Sequence, residues 1–375
     1  MAEKIISPGV FTNEIDATFL PAAVGEIGAA VVGPTVKGPA LVPTVVTSYS
    51  EYQAMFGDAF TSGSDDVQFL TSHVAEQYLR HSDTLTVVRI LDGSTSNASA
   101  NVTVGTGNYH TGSSNQAGWT FADNDTSASF KLHTLADGHI MNNNSLSSST
   151  STGNADIQPT GSLTGSNGLL LSGSKHNLRW EVAGTNPRKG TFNLIIRQGN
   201  DTTKRKQILE TFNNVSLDPK ANNYIGKMVG DSVKVIAGTE SEPYIEYSGS
   251  YENQSKYVRV EVLKKTVDYL DENGEVRVNE ASTSLPGLGS GSWHGSFSGG
   301  DNGWSGFDAL GNTAGDEGAA DYTFYENIGD KSQGFDPMED NQGKTAYTKA
   351  LNLLSNNDEY DFNLLLLPGL LQSEH

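Results

Sequence analysis

The first sixty residues constrain this chain most, because they set an extended arm, a strand, a proline-glycine loop and a short capped helix in succession. Ile5-Ile6-Ser7-Pro8-Gly9-Val10-Phe11-Thr12-Asn13-Glu14-Ile15 alternates apolar and polar residues only in part, and Pro8-Gly9 interrupts it early. Ala22 to Val32 is small and apolar enough for a buried strand, closed by Gly33-Pro34 and again by Gly38-Pro39. Ser48-Tyr49-Ser50-Glu51 supplies a capping box, in which Ser48 and Glu51 would satisfy each other's free amides. The helix it opens carries Tyr52, Met55 and Phe56 and stops at Gly57, the residue type suited to a left-handed C-cap.

At 375 residues the chain has room for two or three domains, each large enough to bury a core. Its 36% hydrophobic content is low for a compact enzyme, and its 41 glycines point to many turns and strands. The longest apolar run, Leu364 to Leu371, is broken by Pro368-Gly369 and is too short to cross a bilayer, so no membrane insertion is expected. With no cysteine, disulfide and thiolate chemistry are excluded. A net charge of -20 disfavours direct nucleic-acid binding, because an acidic surface repels phosphate backbones.

A second helix is expected where Val67, Leu70, Val74 and Tyr78 recur on one face, with Asp65 and Asp66 at its positive end and Arg80 near its close. Leu85 to Leu91 follows as a β-branched strand. From Asp92-Gly93 to about Gly173 the chain is dominated by Ser, Thr, Asn and Gly. Spaced aromatics (Tyr109, Trp119, Phe121, Phe130) favour a small loop-rich β domain there, with 142–156 as a mobile loop. Lys189 to Arg197 reads as a strand ending in the hairpin turn Gln198-Gly199-Asn200-Asp201, and Asn223-Tyr224-Ile225-Gly226 opens a short helix. Between Val276 and Gly318, a Gly/Ser-rich loop is pinned by Trp293, Phe297, Trp304 and Phe307. The last segment is a helix, Gly343 to Leu354, feeding an all-apolar strand, Phe362 to Leu367, expected to be buried on both faces.

The order Ser7-Pro8-Gly9-Val10, Gly33-Pro34, Lys37-Gly38-Pro39 and Phe56-Gly57 resembles the amino-terminal region of contractile-tail sheath proteins from tailed bacteriophages. Leu85 to Leu91, leading out of a helix, is similar to the same family. The runs Gly190 to Arg197, Glu210 to Pro219 and Asn222 to Ile225 resemble sheath proteins of large myovirus-type phages. The resemblance implies an α+β, multidomain chain, with β-rich insertion domains on an incomplete α/β sheath core. Its expected parts are an arm over 1–20, the first part of the core over 21–92, and a projecting β-rich insertion over 93–178. A second β-rich α+β domain with the Gly/Ser-rich loop would span 179–340, and 341–375 would return to a truncated core. Excising residues near 93–175 should then leave the remainder folded.

By the same resemblance the protein is structural, not an enzyme, and takes no cofactor. Its partners would be further copies of itself in stacked hexameric rings, the tail tube protein and the baseplate. It would be assembled in the host bacterial cytoplasm and reside in the virion tail, where contraction drives the tube through the host envelope. The arm residues Ile5, Ile6, Ser7, Pro8, Gly9, Val10, Phe11 and Ile15 would add a strand to a neighbour's sheet. Lys204, Arg205 and Lys206, the one basic cluster, read either as a solvated hairpin turn or as a salt-sensitive contact with an acidic neighbouring subunit. Because sheath proteins follow such a strand with further core elements, the chain is expected to be the amino-terminal portion of a longer protein.

Other chemistry is poorly supported. Gly343-Lys344-Thr345 ends like a phosphate-binding loop, but Met338 stands where that loop needs a glycine, so a helix's first turn is the better reading. Asp123-Asn124-Asp125 starts like a calcium loop and lacks its glycine and distal Glu. No histidine pair has zinc-protease spacing. The rival function is a phage surface protein that binds or depolymerises host polysaccharide through the Ser/Thr/Asn-rich β domain. That domain's acids, notably Asp123, Asp125, Asp137 and Asp156, offer no persuasive catalytic pair.

Overall fold

The computed structural model describes residues 28–62, 65–103, 128–142, 174–201, 205–267, 269–270, 272–276, 285–286, 297–303, 332–356 and 358–372. The fold is α+β and multidomain. Strand β1 (Ala29–Gly33) lies between β5 (Leu85–Arg89) and β15 (Leu364–Leu366), parallel to both, and β2 (Thr44–Val46) adds antiparallel to β5. Period-2 alternation decides what covers this sheet. Ala29, Val31, Leu85 and Val87 meet Tyr52 and Phe56 of α1 (Tyr49–Phe56) and Ala75 of α2 (Leu70–Leu79). Ala30, Val32, Val88 and Ile90 meet Ala346, Tyr347, Ala350 and Leu354 of α4 (Lys344–Leu354) on the opposite face. An all-apolar strand such as β1 is stable only when covered on both sides in this way.

Helix α1 starts and stops where its residues dictate, at Ser48 and at Gly57 with φ 74. Ser48 Oγ accepts the Glu51 amide at 3.3 Å, but the Glu51 carboxylate reaches one residue further back and takes the amide and hydroxyl of Thr47, both at 2.9 Å. The capping box is therefore shifted on its return side. Ser48→Ala is expected to cost about 1 kcal/mol, read as a lower urea midpoint at unchanged slope.

Helix α2 departs from expectation. Residues Asp65–Gln68 form strand β4, a hairpin with β3 (Ala59–Ser62), and the helix begins only at Leu70. Phe69 stands at its N-cap position without a side-chain cap, and the Leu70 amide is met by Gln333 Oε1 at 2.7 Å, from 263 residues away. Acidic residues before an apolar period mimic a helix start, but here the start is fixed by a distant amide group.

Two further sheets pack face to face. One has the order β13 (Val258–Val262), β7 (Ala128–Asp137), β6 (Thr95–Thr103), β14 (Asp301–Asn302); the other runs β10 (Ile208–Ser216), β9 (Thr191–Gln198), β8 (Leu178–Asn186). Phe130 of β7 stacks on Phe192 of β9 with centroids 5.6 Å apart, both rings wholly buried. Ala98, Ala100, Val102, Leu132, Val258 and Val260 face Trp180, Val182, Leu194 and Ile196 in the same core, which also takes in Ile225 and Val229 of α3 (Ile225–Val229) and Phe297. The hairpin of β9 and β10 and helix α3 fall where the sequence places them. Since β7 pairs with β13 across the 178/179 boundary, excision of 93–175 would strip β13 of its partner and open this core. Independence of that stretch does not fit the packing.

Strand β11 (Val233–Gly238) and β12 (Pro243–Ser248) form a two-stranded ribbon beside α4, held where Asn352 Nδ2 donates to Glu240 O at 2.7 Å. Strand β15 is shorter than expected and is not buried on both faces. Leu364 and Leu365 are 44% and 39% exposed, because β15 is the edge strand and α4 packs over β1 instead. Trp293, Trp304, Phe307, Tyr109, Trp119, Phe121 and the Asp123-Asn124-Asp125 run lie outside the described residues.

Candidate functional site

The polar feature that joins the layers is centred on Arg89, the last residue of β5. Its backbone pairs with Gly33, and its carbonyl accepts the Leu41 amide at 2.9 Å, so the strand and the 33–41 loop are registered together. The side chain, 1% exposed, passes through the layer and its Nη1 donates to Gly38 O at 2.6 Å and to Asp137 O at 2.7 Å. Asp137, at the end of β7, returns two contacts to the same loop. Its amide donates to Gly38 O at 3.0 Å and its Oδ2 accepts the Ala40 amide at 2.7 Å. Burial lowers the Arg89 guanidinium to about 10, while the Asp137 charge pulls it back up. Burial likewise pushes the Asp137 carboxyl up, opposed by the Ala40 amide and by Arg89.

Two glycines make the approach possible. Gly38 has φ 116 and its missing Cβ would stand 2.6 Å from the Phe56 ring. Gly138 has φ 106, and a Cβ there would meet Asn302 Oδ1 at 2.2 Å and Arg89 Nη2 at 3.2 Å. Any side chain at either position would part the layers.

Asp92, three residues beyond Arg89, ties in the carboxyl-terminal helix. Its Oδ2 accepts the amides of Gly343 at 2.9 Å and Ala346 at 3.3 Å, placing a carboxylate on the positive end of α4. Gly343-Lys344-Thr345 is thus the start of a helix whose anion site is filled by the protein's own side chain. Asp92→Ala leaves these buried amides unpaired and is expected to cost about 2 kcal/mol, measured as a shift in urea midpoint. Gln333, fully buried, spans from the Leu70 amide to Pro368 O at 2.9 Å and joins α2 to the turn after β15.

A second buried polar group lies on the β8–β9 sheet. Arg197 contacts Glu181 at 3.0 Å and Asp201 at 2.6 Å, and Arg179 Nη1 lies 3.5 Å from Asp201 Oδ1. Lys206 Nζ sits on the Glu181 carboxylate at 2.8 and 2.9 Å, which engages this lysine within its own chain. Arg205 is exposed, and Lys204 lies outside the described residues, as do Ile5, Ile6, Ser7, Pro8, Gly9, Val10, Phe11 and Ile15.

Near the junction, burial lowers Lys37 to about 8, opposed by Asp58, and lowers His176 to about 4 with help from Lys37. Among the described residues no group of three His, Cys, Asp or Glu could hold a metal ion, and no helix is long and apolar enough to cross a membrane. What the arrangement provides is mechanical: buried charge-assisted hydrogen bonds that register two layers. Sequence reading missed Arg89, Asp92, Asp137 and Gln333. The available signal was a lone arginine ending an apolar strand, and the Asp-Gly pairs at 92–93 and 137–138.

No protein-family model matches the chain, and no curated protein sequence matches it. Among solved structures, the fold is similar to a sheath tail protein from Listeria innocua, with 11% identity, a TM-score of 0.30, and coverage of 74% of this chain and 35% of that one. It is also similar to a sheath tail protein from Desulfitobacterium hafniense, with 10% identity, a TM-score of 0.33, and coverage of 95% and 45%. The chain spans less than half the length of either structure.

Proposed function

We propose that the chain is the structural, non-catalytic subunit of a contractile phage tail sheath. The observation that carries this reading is the split core. Strands β1 and β5 and helices α1 and α2 come from one end of the sequence, α4 and β15 from the other, and the β layers between are clamped to the core through Arg89 and Asp137. Such a body moves as one piece, which a subunit with two alternative packings against its neighbours requires. The succession of motifs from Ser7 to Gly57 and from Gly190 to Ile225 supports the same family.

On this reading copies polymerise as stacked hexameric rings around a tail tube, contact a baseplate, and contract to drive the tube through the host envelope. Assembly takes place in the host bacterial cytoplasm, the product resides in the virion tail, and neither nucleic acid nor membrane is bound directly. Residues 1–20 act as the linking arm, and 21–92 with 341–375 as the core.

Mixing the protein with tail tubes and viewing the product by negative-stain microscopy tests the proposal, with ordered sheathed tubes expected. Removing residues up to Phe19 from the protein is expected to preserve circular dichroism while abolishing polymer growth in sedimentation. Normal polymers from the truncated protein would reduce the arm to a frayed end. Retention on a glycan array, or polysaccharide hydrolysis, without any assembly would favour the rival surface-protein function.

A further inference from the structure

Residues 332–335 form a tight turn with an unexpected residue at its tip. Ser332 and Phe335 exchange backbone hydrogen bonds, both at 2.9 Å, and the central residues are left-handed, Gln333 with φ 53 and Gly334 with φ 83. Turns with positive φ at both central positions take Asn, Asp or Gly first, since longer side chains adopt that backbone only at a cost. Gln333 stands there instead and is wholly buried. Its extra methylene supplies reach: Oε1 accepts the Leu70 amide at 2.7 Å, and Nε2 donates to Pro368 O at 2.9 Å. The turn after β15 closes tightly over it. Gly369 has φ 86, and a Cβ there would stand 2.4 Å from Ser332 Oγ and 2.6 Å from Gln333 Nε2.

The turn leads into a stretch that packs largely on itself. Phe335, 1% exposed, lies against Ala346, Tyr347, Ala350 and Leu354 of α4, and Tyr360, Phe362, Leu367 and Leu370 join the same cluster. Asp336 bridges to Gly343 at the start of α4. Strand β15 is tied to the body by three residue pairs with β1 and leaves Leu364 and Leu365 exposed. From these observations we propose that residues 332–372 open from the body as one unit, short of global unfolding, and that Gln333 is the latch that sets how often they do so.

One side chain grips two elements, so both contacts are made or lost together. Helix α2 has no side-chain cap at Phe69, and the Gln333 carboxamide takes that part from a distance. Its other end holds the turn that follows a short edge strand, whose backbone pairing alone is weak. A left-handed glutamine persists only where its surroundings over-determine it, and release relaxes that backbone as the two hydrogen bonds break. The strain thus favours opening and the buried bonds oppose it, which makes the balance adjustable at one residue.

Hydrogen exchange on the folded full chain, followed peptide by peptide by mass spectrometry in urea below the unfolding transition, tests the latch. In the unmodified chain α4, β15 and the start of α2 are expected to share one opening, faster than that of β8, β9 and β10. Gln333→Ala should speed exchange in those three places by about tenfold or more, the factor that a stranded buried amide supplies, and leave β8, β9 and β10 unchanged. Gln333→Asn discriminates further. Asparagine suits the left-handed turn better but is one methylene too short to bridge, so it should behave like the alanine variant. Native or better protection in Gln333→Asn would overturn the proposal, because the turn's backbone and not the side chain's reach would then set the opening. Equal acceleration in β8, β9 and β10 would overturn it too, since the segment would leave only with the whole fold. Should both variants fail to fold, the unmodified chain still decides: separate openings of α4 and β15 refute the latch, and a shared one upholds it.

Discussion

Acidification from pH 6.5 toward 4 is expected to remove several kcal/mol of folding stability, because two buried histidines resist protonation. Burial pushes His133 to about 4, assisted by Arg259 and Lys131 and opposed by Glu261, whose carboxylate lies 2.9 Å from its Nε2. His176 also sits at about 4, lowered first by burial and then by Lys37 and Lys175, with its Nε2 2.8 Å from Ala59 O. In the unfolded chain both return to 6.5. A group depressed on folding contributes stability that is complete above its unfolded value and is lost as the pH falls through its folded one. Each histidine thus contributes up to about 3 kcal/mol, against a typical total of about 5–15 kcal/mol. Asp137 acts in the opposite sense, since burial raises its carboxyl and the fold takes up that proton more readily than the open chain. The net loss is therefore smaller than the two histidines together would give. Urea unfolding at steps across this window checks the slope, and His133→Gln with His176→Gln should flatten it. A curve flat between pH 6.5 and 4 in the unmodified protein would contradict the burial of both rings.

Arg89→Ala is expected to cost about 3–5 kcal/mol, the result of removing the charged donor of two buried hydrogen bonds to backbone carbonyls. The loss has three parts: two carbonyl oxygens without a donor, an Asp137 carboxylate without its counter-charge, and a void beneath the 33–41 loop. Arg89→Lys should recover part of it, because both bonds to Gly38 O and Asp137 O leave the one nitrogen Nη1 and an ammonium also carries several donors. Arg89→Met is the informative third variant. If most of the loss comes from stranded polar groups, Met restores packing volume without restoring stability. Near-native stability in Arg89→Met would instead show that the arginine's stem carries the contribution.

Elements governed by neighbours in sequence were legible. Ser48 and Gly57 bracket α1, the β-branched run sets β5, and the turn at 198–201 joins β9 to β10. Elements governed by distant partners were not. Strand β8 was not singled out: Leu178, Trp180 and Val182 alternate with Arg179 and Glu181, two charged residues buried on its second face. Leu364 to Leu366 looked fully buried because apolarity reports affinity for a core and says nothing about position at a sheet's edge. The junction was invisible for a related reason. Arg89 and Asp137 are 48 residues apart, Asp92 and Gly343 are 251 apart, and only the folded topology gives either pair a meaning.

That topology also sets a timetable for biosynthesis. Strand β1 emerges early, yet its second parallel neighbour, Leu364–Leu366, lies more than 300 residues further along the chain. At synthesis rates of about 5–20 residues per second, roughly 14 to 55 seconds separate β5 from β15. Throughout that interval one edge of β1 is open, and the face later covered by α4 is bare. A nascent chain in this state is a substrate for holding chaperones and for mispairing with a sister chain on the same message. Slowing translation is thus expected to lower the soluble yield of this protein more than that of one whose strands pair in order of synthesis.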